Sequence, residues 1–363
     1  MRRTISSKFA MVGAVALIAT ACGGGGDDES AAEPDSDPAA DVDVGDDAGD
    51  GETEAGDDGD IAVVLKTLSN QFWATMQDGV DDAADESGAN VTVQAATGED
   101  DAEEQATLLQ TLVGNDNACF AVAPITGTNL VQALAAAQDA GRPIVNLDSA
   151  IDAEAADAAG IDIATFIASN NQDAGAQAGT YMTEQLGGSG EVAVVGGIAG
   201  DANSNARTGG FIEAAEAGGL TVVQEVVANW DREEALNAAE NVLDGNPDLG
   251  GFYAANDGMA LGIVQALQNR GLEDVVVIGT DGNEDAIESI VAGGLTATMS
   301  QYPYAIGELG VSACRALIAG ESVPEQVDAP VVLVDGSNAE AALESFPLPF
   351  ESYDDPFASL LGE

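Results

Sequence analysis

IAVVLKTLSNQFWATMQDGVDDAADESGANVTVQAA, residues 61–96, is the stretch from which the fold is read. It opens on a five-residue apolar run, 61–65, rich in valine and isoleucine and too short for a stable helix, which reads as a buried strand. A polar loop follows, then apolar residues at helical spacing over 72–86, stopped by Gly88. Residues 91–95 read as the next strand. Strand, helix, strand in so few residues is a βα unit, which joins parallel strands through a crossover helix.

The same rhythm runs outward from there. Helices are expected at 101–112 and 129–140, with strands at 119–123 and 143–147. It then restarts: helices over 173–186, 206–217, 233–243, 259–268, 285–292 and 304–318 alternate with strands at 191–195, 221–227, 251–254, 275–278, 296–299 and 331–334. That is too many parallel strands for one open sheet, so the reading is α/β with two doubly wound lobes. After Val334 the chain turns acidic and proline-bearing, and a loop-like peripheral tail is expected.

The charge is extreme: 64 acidic against 9 basic residues, net −55 in 363 residues. Nucleic acid needs a basic face and is excluded as a partner. A heavily hydrated surface adapted to high salt fits the acidity. There is no histidine, which removes the commonest metal ligand and the usual general base near neutral pH. No catalytic residue, metal or cofactor is assigned. Cys119 and Cys314 sit in apolar and helical surroundings and are expected as two buried thiols rather than a disulfide.

Residues 1–22 read as a signal peptide: Arg2, Arg3 and Lys8, then an apolar stretch over 9–18 too short to span a bilayer. Ala19-Thr20-Ala21-Cys22 resembles the bacterial lipobox, with Cys22 lipidated. Residues 23–60 hold 16 acidic residues and neither a basic nor an aromatic one. Such a segment cannot bury enough apolar surface to offset its ordering entropy, so a disordered tether is expected.

In open α/β sheets, ligands bind outside the carboxyl ends of the strands. Polar and aromatic residues gather there: Lys66 to Trp73, Asp148, Arg207, Trp230, Asn256, Asp281 and Gln301. Carboxylates, amides and cations pair with sugar hydroxyls, and aromatic rings pack on the flat C–H faces of sugar rings. Lys66 and Arg207 are two of only six basic residues after the leader, and Trp73 and Trp230 are the only tryptophans.

Motifs in consistent order strengthen this. AVVLKTLSNQFW (62–73), APITGTNL (123–130), IVNLD (144–148), GIAGDANSNARTGGF (197–211), NWDR (229–232), AANDGMALG (254–262), VIGTDG (278–283) and TATMSQYP (296–303) resemble the ribose/allose type of periplasmic sugar-binding protein, most of all the D-allose-binding kind. The resemblance implies the type I periplasmic binding fold, with two lobes joined by a three-segment hinge and sugar held between them. By those motifs Lys66, Asn70, Phe72, Trp73 and Asp148 match contacts of the first lobe. Arg207, Trp230, Asn256 and Asp281 match contacts of the second, Gln301 a contact at a crossover, and Asn171 a hinge residue. The implied division is 61–168 with 302–327, 169–301 with 328–345, and the tail 346–363. Gln71 stands where the family usually has proline, and Ser149 where ribose binders carry arginine and allose binders glutamate.

The resemblance implies a monomeric, lipid-anchored, extracytoplasmic protein that hands a monosaccharide, allose or ribose-like, to an ABC permease. A receptor that reports a sugar to a membrane sensor and, further off, a sugar-acting enzyme are the alternatives. A sugar-responsive repressor is disfavoured, because a leader and an acidic segment stand where its DNA-binding helices belong. Asp201, Asn203 and Asn205 have the spacing that opens a calcium loop, but Ala206 and Ile212 replace its glycine and its last carboxylate.

Overall fold

The computed structural model describes residues 59–362. The leader, Cys22 and all but the last two residues of the expected tether lie outside the described residues.

Strand β1 (Ile61–Thr67) is buried along its whole length, as a central parallel strand covered on both faces must be. Its alternation sorts the core. Ile61, Val63 and Leu65 enter one cluster with α1 (Gln71–Ser87) and α10 (Pro303–Ile318). Ala62 and Val64 enter another, with α2 (Ala102–Val113) and α3 (Val131–Asp139) on the opposite face. The first sheet has the order β11-β5-β4-β3-β1-β2 and is parallel throughout. Its remaining strands are β2 (Val91–Ala96), β3 (Cys119–Val122), β4 (Ile144–Leu147), β5 (Thr165–Ser169) and β11 (Gln326–Ala329).

The second sheet repeats the pattern in the order β12-β10-β9-β8-β6-β7. It comprises β6 (Gly190–Gly196), β7 (Leu220–Val227), β8 (Gly251–Ala254), β9 (Val276–Asp281), β10 (Ala297–Gln301) and an antiparallel edge strand, β12 (Val331–Asp335). Around it pack α5 (Asn171–Gln185), α6 (Ala202–Ala217), α7 (Arg232–Gly245), α8 (Asp257–Arg270) and α9 (Glu284–Val291). The chain passes between the sheets three times: β5 to α5, β10 to α10, and β11 to β12. Two doubly wound sheets with three connections are the architecture the βα rhythm and the resemblance imply.

Several local readings need correction. Cys119 and Cys314 form a disulfide, with Cα atoms 5.7 Å apart across 195 residues of sequence. Both are buried, as expected, but β3 and α10 bring them within bridging distance, which nothing local in the sequence could disclose. The stretch after Val334 is not all loop: α11 (Ala339–Ser345) buries Ala339 and Ala342 against α9. The tail is not merely peripheral either, since Phe357 is fully buried in the first core while Phe346 and Phe350 pack on the second. Strands β5 and β11 and helix α4 (Ala153–Ala159) were not expected, because TFIAS, QVDA and AEAADAA carry too weak a period.

Candidate functional site

The strand ends of both sheets face one cleft, and the residues following them are held by the helices they start. Asn70 caps α1, its Oδ1 accepting from Phe72 N at 3.1 Å, and Asn256 caps α8 by accepting from Met259 N at 2.9 Å. Asp201 caps α6 in the same way through Ser204 N. Asn203 and Asn205 are therefore helical, four residues earlier than the predicted helix start, and the resemblance of 201–205 to a calcium loop is one of spacing alone.

On the second sheet, Arg207 is the centre. It is buried on α6 and donates through Nε to Asn171 Oδ1 at 2.7 Å and through Nη1 to the Ala255 carbonyl at 2.7 Å. The same Nη1 meets Asp281 Oδ1 at 3.0 Å, and Gln301 Nε2 donates to that oxygen at 2.9 Å. The guanidinium lies 5.7 Å from the centre of the Trp230 ring. Burial pulls the Arg207 pKa down, but Asp281 and then Asp148 outweigh it and the net shift is upward, so the cation is held charged. Burial lifts the Asp281 carboxyl well above its ordinary range, against the pull of Arg207. Gly197 lets the Trp230 ring lie against the backbone, since a Cβ there would sit 2.2 Å from a ring carbon.

On the first sheet, Trp73 is buried edge-on against Phe72, and Lys66 Nζ stands 5.3 Å from its ring centre. Glu99 Oε1 accepts from both Asn70 Nδ2 at 2.6 Å and Trp73 Nε1 at 3.1 Å. Asp148 is buried at the end of β4 and accepts from Ser149 Oγ at 2.8 Å. Three contacts cross from the first sheet to the start of α6: Asn203 Nδ2 donates to Asp148 Oδ2 at 2.9 Å and to Ser149 Oγ at 3.3 Å, and Lys66 stands 3.9 Å from Asp201.

Two observations mark this cluster as more than core. Four non-glycine residues among those described have positive φ: Asp148 (54°), Asn229 (48°), Trp230 (63°) and Asp281 (135°). Three of them are predicted contacts, and strained backbone of this kind persists where surrounding structure holds a side chain to a task. Four buried side-chain oxygens among the described residues lack a hydrogen-bond partner, and two of these are Asp148 Oδ1 and Gln301 Oε1. A third, Ser169 Oγ, lies at the β5 crossover. A buried acceptor left unpaired is costly, so these atoms ask for a donor from outside the chain.

A cavity of about 400 Å³ is lined by Asn70, Gln71 and Glu99 from one side and by Trp230, Arg232 and Asn256 from the other; of the ten predicted contacts, Asn70, Trp230 and Asn256 line it. A larger hollow of about 750 Å³ next to it, walled by Ile125, Ile151 and Ile198, contains none of the ten predicted contact residues. Residues 61–322 match the model of the family described as periplasmic binding protein domain.

The chain belongs to that family.

Within it, the chain is 40% identical over 255 residues to the D-allose-binding periplasmic protein of Escherichia coli (strain K12), covering 69% of this chain and 82% of the relative. It is 30% identical over 273 residues to the ribose import binding protein RbsB of Bacillus subtilis (strain 168), covering 75% and 86%. The crystal structure of a periplasmic solute-binding protein of Actinobacillus succinogenes 130z with bound D-allose superposes with a TM-score of 0.75 at 32% identity, covering 78% of this chain and 99% of that one. These relatives bind and transport; the protein is a binding protein and not an enzyme. As a periplasmic binding protein it is extracytoplasmic. Among the described residues no helix is long and apolar enough to cross a membrane.

The first-sheet and second-sheet contact residues predicted from motifs thus come together, with Asn171 joined to them through Arg207. Sequence reasoning missed Glu99, Asn203 and Ser169. Glu99 lies in TGED (97–100), a stretch with no recognisable pattern. Asn203 carries no signal in the sequence beyond an incomplete calcium-loop spacing, and Ser169 ends a strand that was not expected.

Proposed function

We propose that this protein is a lipid-anchored solute-binding protein that captures one monosaccharide, allose first and ribose second, and delivers it to an ABC importer. The observation that carries the reading is the pair of buried, unpartnered acceptors, Asp148 Oδ1 and Gln301 Oε1, beside a charged and aromatic cluster. Sugar hydroxyls supply the donors these atoms lack, and the ring supplies apolar C–H surface for Trp230. The allose preference rests on Lys66, Trp73 and Trp230 together and on the D-allose-binding relative. Lys66, Asn70, Phe72, Trp73, Asp148, Arg207, Trp230, Asn256, Asp281 and Gln301 are the proposed contacts, and the lobes are 61–168 with 302–327 and 169–301 with 328–345. Lipidation at Cys22 and an acidic tether over 23–60 set the monomer at the membrane surface near its permease.

A thermal-shift screen over pentoses, hexoses and polyols tests the ligand, because binding to the native state raises its apparent stability. One or a few monosaccharides raise the Tm by several degrees; a flat response across the panel contradicts the reading. Replacing Cys22 with serine releases the protein from the membrane fraction, and unchanged localisation removes the lipid anchor.

A further inference from the structure

The turn that carries Asp281 is held by its backbone amides. Gly282 N and Asn283 N each donate to Asp257 Oδ2 at 2.8 Å. The next amide, Glu284 N, is the first of α9. Helices α6, α7 and α8 of the same sheet are capped by their own Asp201, Asp231 and Asn256, but Asn283 makes no side-chain cap for α9. Glu284 N donates instead to Gln71 Oε1 at 3.1 Å, across the cleft and from α1. Gln71 Nε2 reaches back toward Glu284 Oε2 at 3.5 Å. A residue of the first sheet's layer thus supplies the cap that a helix of the second lacks.

We propose that Gln71 is a closure latch, a positioning residue that caps α9 from across the cleft and so holds the two lobes together around the sugar. Its neighbours fix what it couples. Phe72 and Trp73 follow it directly on α1, while Asp281 lies three residues before Glu284 and pairs with Arg207 and Gln301. Gln71 also lines the 400 Å³ cavity, so the latch closes the rim next to Trp230. A proline at this position would offer neither arm of the contact. The Lys66–Asp201 and Asp148–Asn203 contacts join the first sheet to α6, so the α9 side depends on Gln71. The shorter arm, backbone amide to side-chain amide, involves no ion pair, which suits a highly acidic surface whose ion pairs salt screens.

This inference rests on the sugar-binding reading for its purpose, and two measurements separate the two. Backbone amide exchange at Glu284 needs no ligand. Gln71→Ala speeds it about tenfold, the scale of one lost hydrogen bond, while Ala292 at the other end of α9 is unchanged. With the sugar found by the panel, Gln71→Ala raises the dissociation rate about tenfold. Glu284→Ala has a smaller effect, because the backbone donor stays. Gln71→Glu sets two carboxylates against each other and weakens retention further, and the swapped pair Q71E/E284Q restores it. Equal Glu284 exchange in wild type and Gln71→Ala, or an unchanged dissociation rate, overturns the latch. If no sugar binds, the sugar reading fails while amide exchange still decides the latch.

Discussion

Asp257 illustrates at one residue how the site is built and what it costs. It is fully buried and accepts from Gly282 N, Asn283 N and Thr298 Oγ1, so it fixes the turn beyond Asp281. Burial nevertheless pushes its pKa up to about 6, more than these donors pull it down. Because the folded carboxyl binds its proton more tightly than the unfolded one, the stability this proton confers is present below about pH 4. It is lost as pH rises through the window to about 6. An asparagine there keeps the acceptor for the two amides and offers Thr298 a donor. Asp257→Asn is therefore more stable than wild type at pH 7, by about 3 kcal/mol at most, and gains little near pH 4. Urea unfolding at the two pH values measures this, and equal midpoints at pH 7 refute it. At this scale the sequence was readable wherever a polar residue stood at or just beyond the end of a strand, as with Asp148, Asn256 and Asp281. Glu99 and Asn203 were not readable, since they act by holding other site residues and only the packed fold reveals that.

The elements show which signals survive in a sequence. A strand such as β1, buried on both faces, is an unbroken apolar run, and it stands out. Strand β11 is an edge strand with only Val327 and Ala329 apolar, and α4 is mostly alanine and carboxylates, so neither announces itself. Long-range pairing is still less accessible. The Cys119–Cys314 bond pins the crossover helix α10 to the central part of the first sheet, and it closes a loop of 195 residues. Constraining so long a loop in the unfolded chain contributes about 2–5 kcal/mol. The double variant C119A/C314A is expected to melt several degrees lower in a scanning calorimeter, and the native protein to show no titratable thiol at either position. An unchanged Tm would mean that the packing around α10 already supplies that restraint.

For the whole molecule, charge and closure dominate. Residues 61–363 hold 48 acidic and 6 basic residues, a net charge of −42. At low ionic strength such a surface repels itself, and salt screens the repulsion between charges farther apart than the Debye length, about 10 Å at 0.1 M. The Tm should climb steeply from low salt to molar NaCl, and a flat profile would show that the carboxylates are spaced too widely to interact. The two-sheet architecture was legible because its period recurs from end to end. The packing of Phe357 and α11 onto the two cores was not, because a tail rich in proline and carboxylates resembles loop whatever it lies against.

The central claim, a monosaccharide closed between the two sheets against Trp230, is tested most directly by tryptophan emission. The chain has only Trp73 and Trp230, and of the two Trp230 lines the cavity while Trp73 is buried in the first core. Titrating allose, ribose and related monosaccharides into the protein, with calorimetry on the same samples, should give one-to-one binding and a saturable spectral shift. Trp230→Phe should remove most of that shift with modest loss of affinity, and Trp230→Ala should weaken binding as well. If no monosaccharide changes either the heat or the emission, the account is wrong.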